Sequence, residues 1–223
     1  MNNSAGTTGR LLWAGLRALL VLTVITGVLY PLTVTGIARV AFPAEAAGSE
    51  ITDASGRVVG SELIGQTYRL PLAAGEETAR PDLRWFQPRP SNGLGTNSVN
   101  TRYSLLLSGA TNRSGDNEDL IRWVTDAKAA VVEDNSTPTF RVRPSDVPAD
   151  AVTSSGSGLD PHISPAYAAL QVHRVAERNS LDVGAVEKLV ADHTDGRTLG
   201  FIGEPRVHVL RLNIALKELV EQG

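Results

Sequence analysis

Cysteine is missing from all 223 residues. That excludes a disulfide framework, a thiolate metal site and a cysteine nucleophile. Lysine is nearly missing: Lys128, Lys188 and Lys217 are the only three among 21 cations. With abundant Ala, Val and Gly, that bias points to a high-GC bacterial genome. A cationic surplus is missing too. Lys+Arg is 21 against 24 for Asp+Glu, a formal net charge of -3, which rules out a strongly basic nucleic-acid binder. There is no Gly-x-x-x-x-Gly-Lys-[Ser/Thr] loop for a nucleotide phosphate. The four histidines, His162, His173, His193 and His208, lack metal-ligand spacing such as His-x-x-x-His. No internal repeat is present.

What the sequence does have is one long uncharged run. Ala18 to Ala38 reads ALLVLTVITGVLYPLTVTGIA, 21 residues without a charge. About 20 apolar residues cross a ~30 Å hydrocarbon core as a helix. Leu11, Leu12, Trp13 and Leu16 extend the run toward the N-terminus, and Arg17 near its end can snorkel to the headgroups. Pro31 weakens one turn, and Tyr30 suits an interface. Ala44-Glu45-Ala46 resembles a signal-peptidase site, but the run exceeds an ordinary h-region of about 7–15 residues. The expected organisation is a cytoplasmic tail over 1–10, a retained transmembrane anchor over 11–38, and an α+β soluble domain over 39–223. Flexible loops are expected at about 80–117 and 135–163.

Flanking charge sets the expected orientation. Arg10 and Arg17 precede the span and Arg39 follows it, which favours a cytoplasmic N-terminus and an extracytoplasmic domain. Without those three arginines the remainder holds 18 cations against 24 anions, a field that disfavours polyanions.

Within the domain, Ile51-Thr52-Asp53, Ala54-Ser55-Gly56 and Arg57-Val58-Val59 read as strand, turn, strand. Residues 80–117 read as loop, yet Trp85, Phe86 and Tyr103 imply that something packs there. Asp116 or Asn117 caps a helix to about Glu133, with Leu120, Val124, Ala127 and Val131 on one face. Asn135, just beyond it, is expected to be exposed. Ser164-Pro165 starts a helix to about Asn179. Asp182 caps the next, with Leu181 and Val186 as its staple, and Gly196 ends it. Val207 to Leu212 alternates as a strand, and Asn213 is placed to cap a final helix. Strands first and helices after them give α+β.

Thr153 to Pro165 is the most unusual stretch. Its hydroxyls and glycines leave backbone N–H groups free before a helix start, suiting either an anion or partner nest or a capping loop. Ser157, Asp160 and His162 lie close enough in sequence to suggest a membrane-anchored serine hydrolase or a binding module. No Gly-x-Ser-x-Gly elbow supports the hydrolase. Glu204 and Arg206 are candidate surface ion-pair formers.

The pieces in order resemble the KdpC family, the C subunit of the bacterial Kdp potassium-transporting P-type ATPase. They are Tyr30-Pro31, the Gly60 to Gln66 segment GSELIGQ, Arg89-Pro90-Ser91, Val147-Pro148-Ala149-Asp150 and Thr153 to Pro165. Gln171, Arg174-Val175-Ala176, His193-Thr194, Gly203 to Val207 and Leu212-Asn213 complete the set. The resemblance runs from about Leu11 to Val220, and residues 108–117 depart from the family's usual glycine-serine-asparagine stretch. It implies a single-span subunit of the bacterial cell membrane, with no catalytic residue and no metal of its own. Its implied partners are a channel-like potassium-translocating subunit, a P-type ATPase subunit and a small membrane subunit, and these handle ATP and potassium. Gln171 is the implied nucleotide contact if the chain acts as a catalytic chaperone raising ATP affinity. The other implied role is a cap over the potassium entrance. Ser157, Gly158, Asp160, Pro161, His162 and Ser164 form the expected structural or partner-binding loop.

Overall fold

The computed structural model describes residues 4–72, 75, 79–91, 94–96, 104–106 and 108–222. They fall into two compact units, Met1–Glu50 and Ile51–Gly223. The helical chain continues to Ala41 and is followed by a short helical turn, α3 (Pro43–Ala46).

The first unit is helical. α1 (Ser4–Val24) passes through a π-turn at Ile25–Leu29 into α2 (Tyr30–Ala41). Pro31 explains the π-turn. It has no N–H, and its ring crowds the carbonyl of Gly27 four residues back. The Tyr30 N–H reaches Ile25 O, five residues back, and the helix widens instead of breaking. Thr26 and Thr33 return their hydroxyls to Leu22 O at 2.7 Å and Leu29 O at 2.8 Å. Gly6–Ala41 has a mean hydropathy of 2.0 over its most apolar stretch. It is the one helix among the described residues long and apolar enough to cross a membrane.

The second unit is α+β. β1 (Glu50–Thr52) and β2 (Val58–Ser61) form the expected hairpin. Asp53 Oδ1 accepts from the N–H of Ser55 at 2.9 Å and of Arg57 at 3.0 Å, and Gly56 supplies the positive φ of 77° the turn needs. Inside the stretch read as loop, β3 (Leu94–Thr96) and β4 (Ser104–Leu106) pair antiparallel. Tyr103 lies outside the described residues.

α4 (Glu118–Asn135) is capped by Asn117, whose side chain accepts from Leu120 N–H, and it runs past Glu133. α5 (Pro165–Asn179) and α6 (Val183–Asp192) start at the expected caps, Ser164 and Asp182. Gly196 does not end α6. The helix stops at Asp192 because His193 Nδ1 and Thr194 Oγ1 close its last turn on Leu189 O and Val190 O. β5 (His162–Ile163), β7 (Arg206–His208) and β6 (Thr194–Asp195) make an antiparallel sheet in that order. The final helix, α7 (Val209–Gln222), begins at Val209, not after Asn213. Val209, Leu212 and Leu216 are buried on one helical face, a spacing that overlaps strand alternation at its start. Asn213 therefore lies inside the helix.

α5 is the central element. Ala168, Val172, Val175 and Ala176 are buried with Val186 and Val190 of α6, Val207 of β7 and Leu212 of α7. Phe86, fully buried, brings the 82–91 strap into this core.

Candidate functional site

The Thr153 to Pro165 loop is where separated parts of the sequence meet. The Gly65 N–H donates to Leu159 O at 2.7 Å, tying the GSELIGQ segment to it. Gly65 has no room for a side chain there, since a Cβ would stand 2.8 Å from Asp160 O. Arg89 pairs with Asp160 at 3.2 Å and donates to Thr153 O, and Ser91 Oγ donates to Gly158 O. The Gly109 N–H donates to Ser157 O at 2.8 Å, and the Val209 N–H to Pro161 O at 3.0 Å. Gly158 takes a φ of 69°. Asp150 holds Ser164 through its N–H at 2.7 Å and its hydroxyl at 2.9 Å, while Ser164 Oγ caps Tyr167 N–H at 3.0 Å.

The candidate triad residues are spent differently. Asp160 Oδ1 accepts from the His162 N–H at 3.0 Å and contacts His162 Nδ1 at 3.1 Å. The hydrogen bonds and charge interaction with His162, and after them the Arg89 charge, hold the Asp160 carboxyl below the usual carboxylate range against the opposing effect of burial. Ser157 Oγ instead accepts from Leu159 N–H at 3.1 Å and lies 3.2 Å from Ser155 Oγ. Among the described residues no hydrogen bond joins Ser157 to His162, so the nucleophile–base link a hydrolase requires is not formed. No group of three or more His, Asp or Glu among the described residues is arranged to hold a metal ion.

His208 of β7 lies across from His162, their rings edge-on with centroids 5.1 Å apart. Its Nε2 reaches Glu62 O at 3.1 Å, and Nδ1 receives Arg211 N–H at 3.4 Å. Burial, then the neighbouring His162, pushes its pKa down to about 4.

Behind the loop is a buried polar clamp. Gln171 is fully buried, with its Oε1 accepting from Gln87 N–H at 2.7 Å and from Arg174 Nη2 at 2.5 Å. Its Nε2 donates to Gln87 O at 3.0 Å. Asn213 does the same for Phe86: Oδ1 accepts from its N–H at 2.9 Å and Nδ2 donates to its carbonyl at 3.0 Å. Two side-chain amides thus serve as a strand partner for consecutive residues of the strap. Arg174 donates through Nε to Asn135 Oδ1 at 2.8 Å, and through Nη1 to Leu83 O and Trp85 O. Burial lowers its pKa to about 10, which leaves it charged at neutral pH.

The structure therefore brings Gly158, Asp160, Pro161, His162 and Ser164 together with Arg89 and Gly65, and puts Gln171 in the core behind them. Asn135, expected to be exposed, is 4% exposed because Arg174 needs its carbonyl and Val131 O takes its amide. Asn213 is not a cap. Arg174, Asn135 and Asn213 are clamp residues whose grouping the sequence did not reveal. The available signal was a polar pair three apart, Gln171 and Arg174, on a helix face otherwise filled by Leu170, Val175 and Ala residues. Glu204 and Arg206 each form an ion pair, but with Arg197 at 2.7 Å and Asp195 at 4.0 Å.

A sequence profile of the family described as "KdpC: K+-transporting ATPase, c chain" matches residues 12–218. A potassium-transporting ATPase KdpC subunit of Streptomyces avermitilis is 75% identical over 220 residues, 99% of each chain. That of Streptomyces coelicolor is 69% identical over 223 residues, covering 100% of this chain and 99% of the relative. That of Mycobacterium tuberculosis is 42% identical over 210 residues, covering 94% and 99%.

Proposed function

The chain belongs to the KdpC family of potassium-transporting ATPase subunits, and on that premise we propose that it is a non-catalytic accessory subunit held by one membrane span. Its partners are the channel-like potassium-translocating subunit, the P-type ATPase subunit and the small membrane subunit, which handle potassium and ATP between them. The N-terminus is cytoplasmic and the α+β domain extracytoplasmic, on the strength of Arg10 and Arg17 before the span.

The carrying observation is the use to which the polar residues are put. Asp160, His162, Ser164 and Arg89 hold chain segments together, and Gln171 spends both acceptor directions of its carbonyl on Gln87 and Arg174. That supports a rigid, partner-facing domain more than a nucleotide site. Of the two family roles, an external domain suits capping of the potassium entrance. The catalytic-chaperone role would need the domain on the ATP side and Gln171 released from its clamp. The test is potassium-stimulated ATP hydrolysis by the purified complex. Ser157→Ala should leave its rate within about twofold, whereas loss of a nucleophile costs orders of magnitude. Loss of activity with normal assembly would revive a chemical role for Ser157.

A further inference from the structure

A cavity of about 290 Å³ lies between α4, α5 and the 82–91 strap. Helix periodicity sets its walls. Tyr167 and Arg174 are two turns apart on one face of α5, and Ala127, Val131 and Asp134 recur at the i, i+4, i+7 spacing on α4. All five line the cavity, with Leu83 of the strap. Three of these side chains have polar capacity to spare, where buried polar groups are ordinarily paired. Tyr167 is 4% exposed, yet its hydroxyl makes no hydrogen bond among the described residues. Burial pushes its pKa up to about 12, so it stays a protonated donor. Arg174 brings five N–H donors to four acceptors, on Asn135, Leu83, Trp85 and Gln171, and none of the four is a carboxylate. Asp134 forms no hydrogen bond and no ion pair among the described residues, and burial raises its carboxyl above the ordinary carboxylate range. The charges of Arg174 and Asp134 both act on the Tyr167 hydroxyl and on each other, but the two side chains do not close into a pair.

The geometry points to this cavity as a binding site for a small aliphatic α-amino acid, its carboxylate on Arg174 and the Tyr167 hydroxyl and its ammonium on Asp134. Charge selects the ligand. Arg89, beside the cavity, is already paired with Asp160, and the exposed Arg69 donates to Ala79 O. One charge of each sign is left. A plain anion would answer Arg174 but meet Asp134, and a plain cation the reverse, so each would leave a like-charge contact in a partly desolvated site. A zwitterion answers both. An α-amino acid carries its two charges on one carbon atom, which suits opposite charges that stand near each other without pairing. Leu83, Ala127 and Val131 give an aliphatic side chain an apolar wall. The site is made by this chain's own domain and does not depend on the subunit role proposed above.

Titration calorimetry on the full chain in detergent, with L-leucine as the probe, provides the test. L-leucine is expected to bind saturably. Isocaproate and isoamylamine, which keep its side chain and lack one charge each, should bind at least about tenfold more weakly, the scale of one charge-assisted hydrogen bond. Tyr167→Phe removes only the hydroxyl and should weaken L-leucine binding roughly tenfold. It should not lower the thermal unfolding temperature of the ligand-free chain, because that hydroxyl bonds to nothing in the fold. Asp134→Asn should abolish the preference for L-leucine over isocaproate. No saturable heat at millimolar L-leucine, binding of either singly charged compound as tight as that of L-leucine, or undiminished binding by Tyr167→Phe would overturn the inference.

Discussion

Phe86 and Gln87 belong to no strand, yet each has its backbone N–H and C=O bonded to one side-chain amide, from Asn213 and Gln171. Removing the Gln171 amide would leave two backbone groups and one Arg174 donor without partners in a site closed to water. Unsatisfied buried groups cost about 1–3 kcal/mol each. Gln171→Met, similar in volume, is expected to destabilise the full chain in detergent by about 3 kcal/mol. That corresponds to roughly 6–12 °C in melting temperature for a domain of this size. A melting temperature equal to wild type would mean that Gln171 is not a structural clamp and would return it to ligand contact. His208 makes a second prediction, on pH. Its folded pKa of about 4 lies below the unsubstituted value of 6.5, so the unfolded chain binds the proton more readily. The stability from neutral His208 is complete above about pH 6.5 and is lost as pH falls through about 4, up to about 3 kcal/mol in all. The groups around it are His162, Asp160, Asp195, Glu62 and Arg211. Denaturant unfolding at pH 7 and pH 4.5 should show a smaller acid loss in His208→Gln than in wild type. Equal losses would assign acid sensitivity to the carboxylates instead.

Helix starts were the most legible elements, because a cap is a local device. Asn117, Ser164 and Asp182 each accept from the N–H three residues on, and each was readable from residue type and spacing. Helix ends and the last strand were less legible. The Val207 to Leu212 run satisfies both periods over so few residues, and long-range contacts decide between them: the Pro161 carbonyl takes the Val209 N–H, and the Phe86 backbone takes Asn213. The same limit hid the β3–β4 pair and the clamp, since neither depends on neighbours in sequence. The loop from Thr153 to Pro165 was recognisable as unusual, but not as the meeting point of Gly65, Arg89, Ser91, Gly109 and Val209. Gly65 offers the test of that meeting point. A methyl group there would press on the Asp160 carbonyl, which is backbone and cannot swing away. Gly65→Ala should cost about 1–3 kcal/mol by this overpacking. It should also loosen the 155–165 loop, seen as faster amide hydrogen exchange at Leu159 and His162. Unaltered exchange and stability would mean the two segments are not coupled through that contact.

For the whole molecule, the fold reads as an anchor and a domain with separate duties. Gly6–Ala41 carries the apolar surface of a membrane span, and the second unit has its own core around α5. The proposed capping role places that domain outside the cell membrane, and sidedness can be read with one residue. The chain has no cysteine, so one introduced thiol reports alone. Asn135 is unsuitable because it is buried against Arg174. Glu187 on α6 is exposed, and its side chain can be exchanged without disturbing the core. Glu187→Cys should react with a membrane-impermeant maleimide added to intact cells, or to spheroplasts where a wall blocks access, without permeabilisation. The full-length mass should be retained apart from loss of the initiator methionine. Labelling only after permeabilisation would put the domain in the cytoplasm, beside ATP. It would then favour the catalytic-chaperone role, even though Gln171 would have to leave its clamp to serve it. A mature chain beginning near Ala47 would show instead that the apolar helix is a removed signal peptide and that the domain reaches its partners without an anchor.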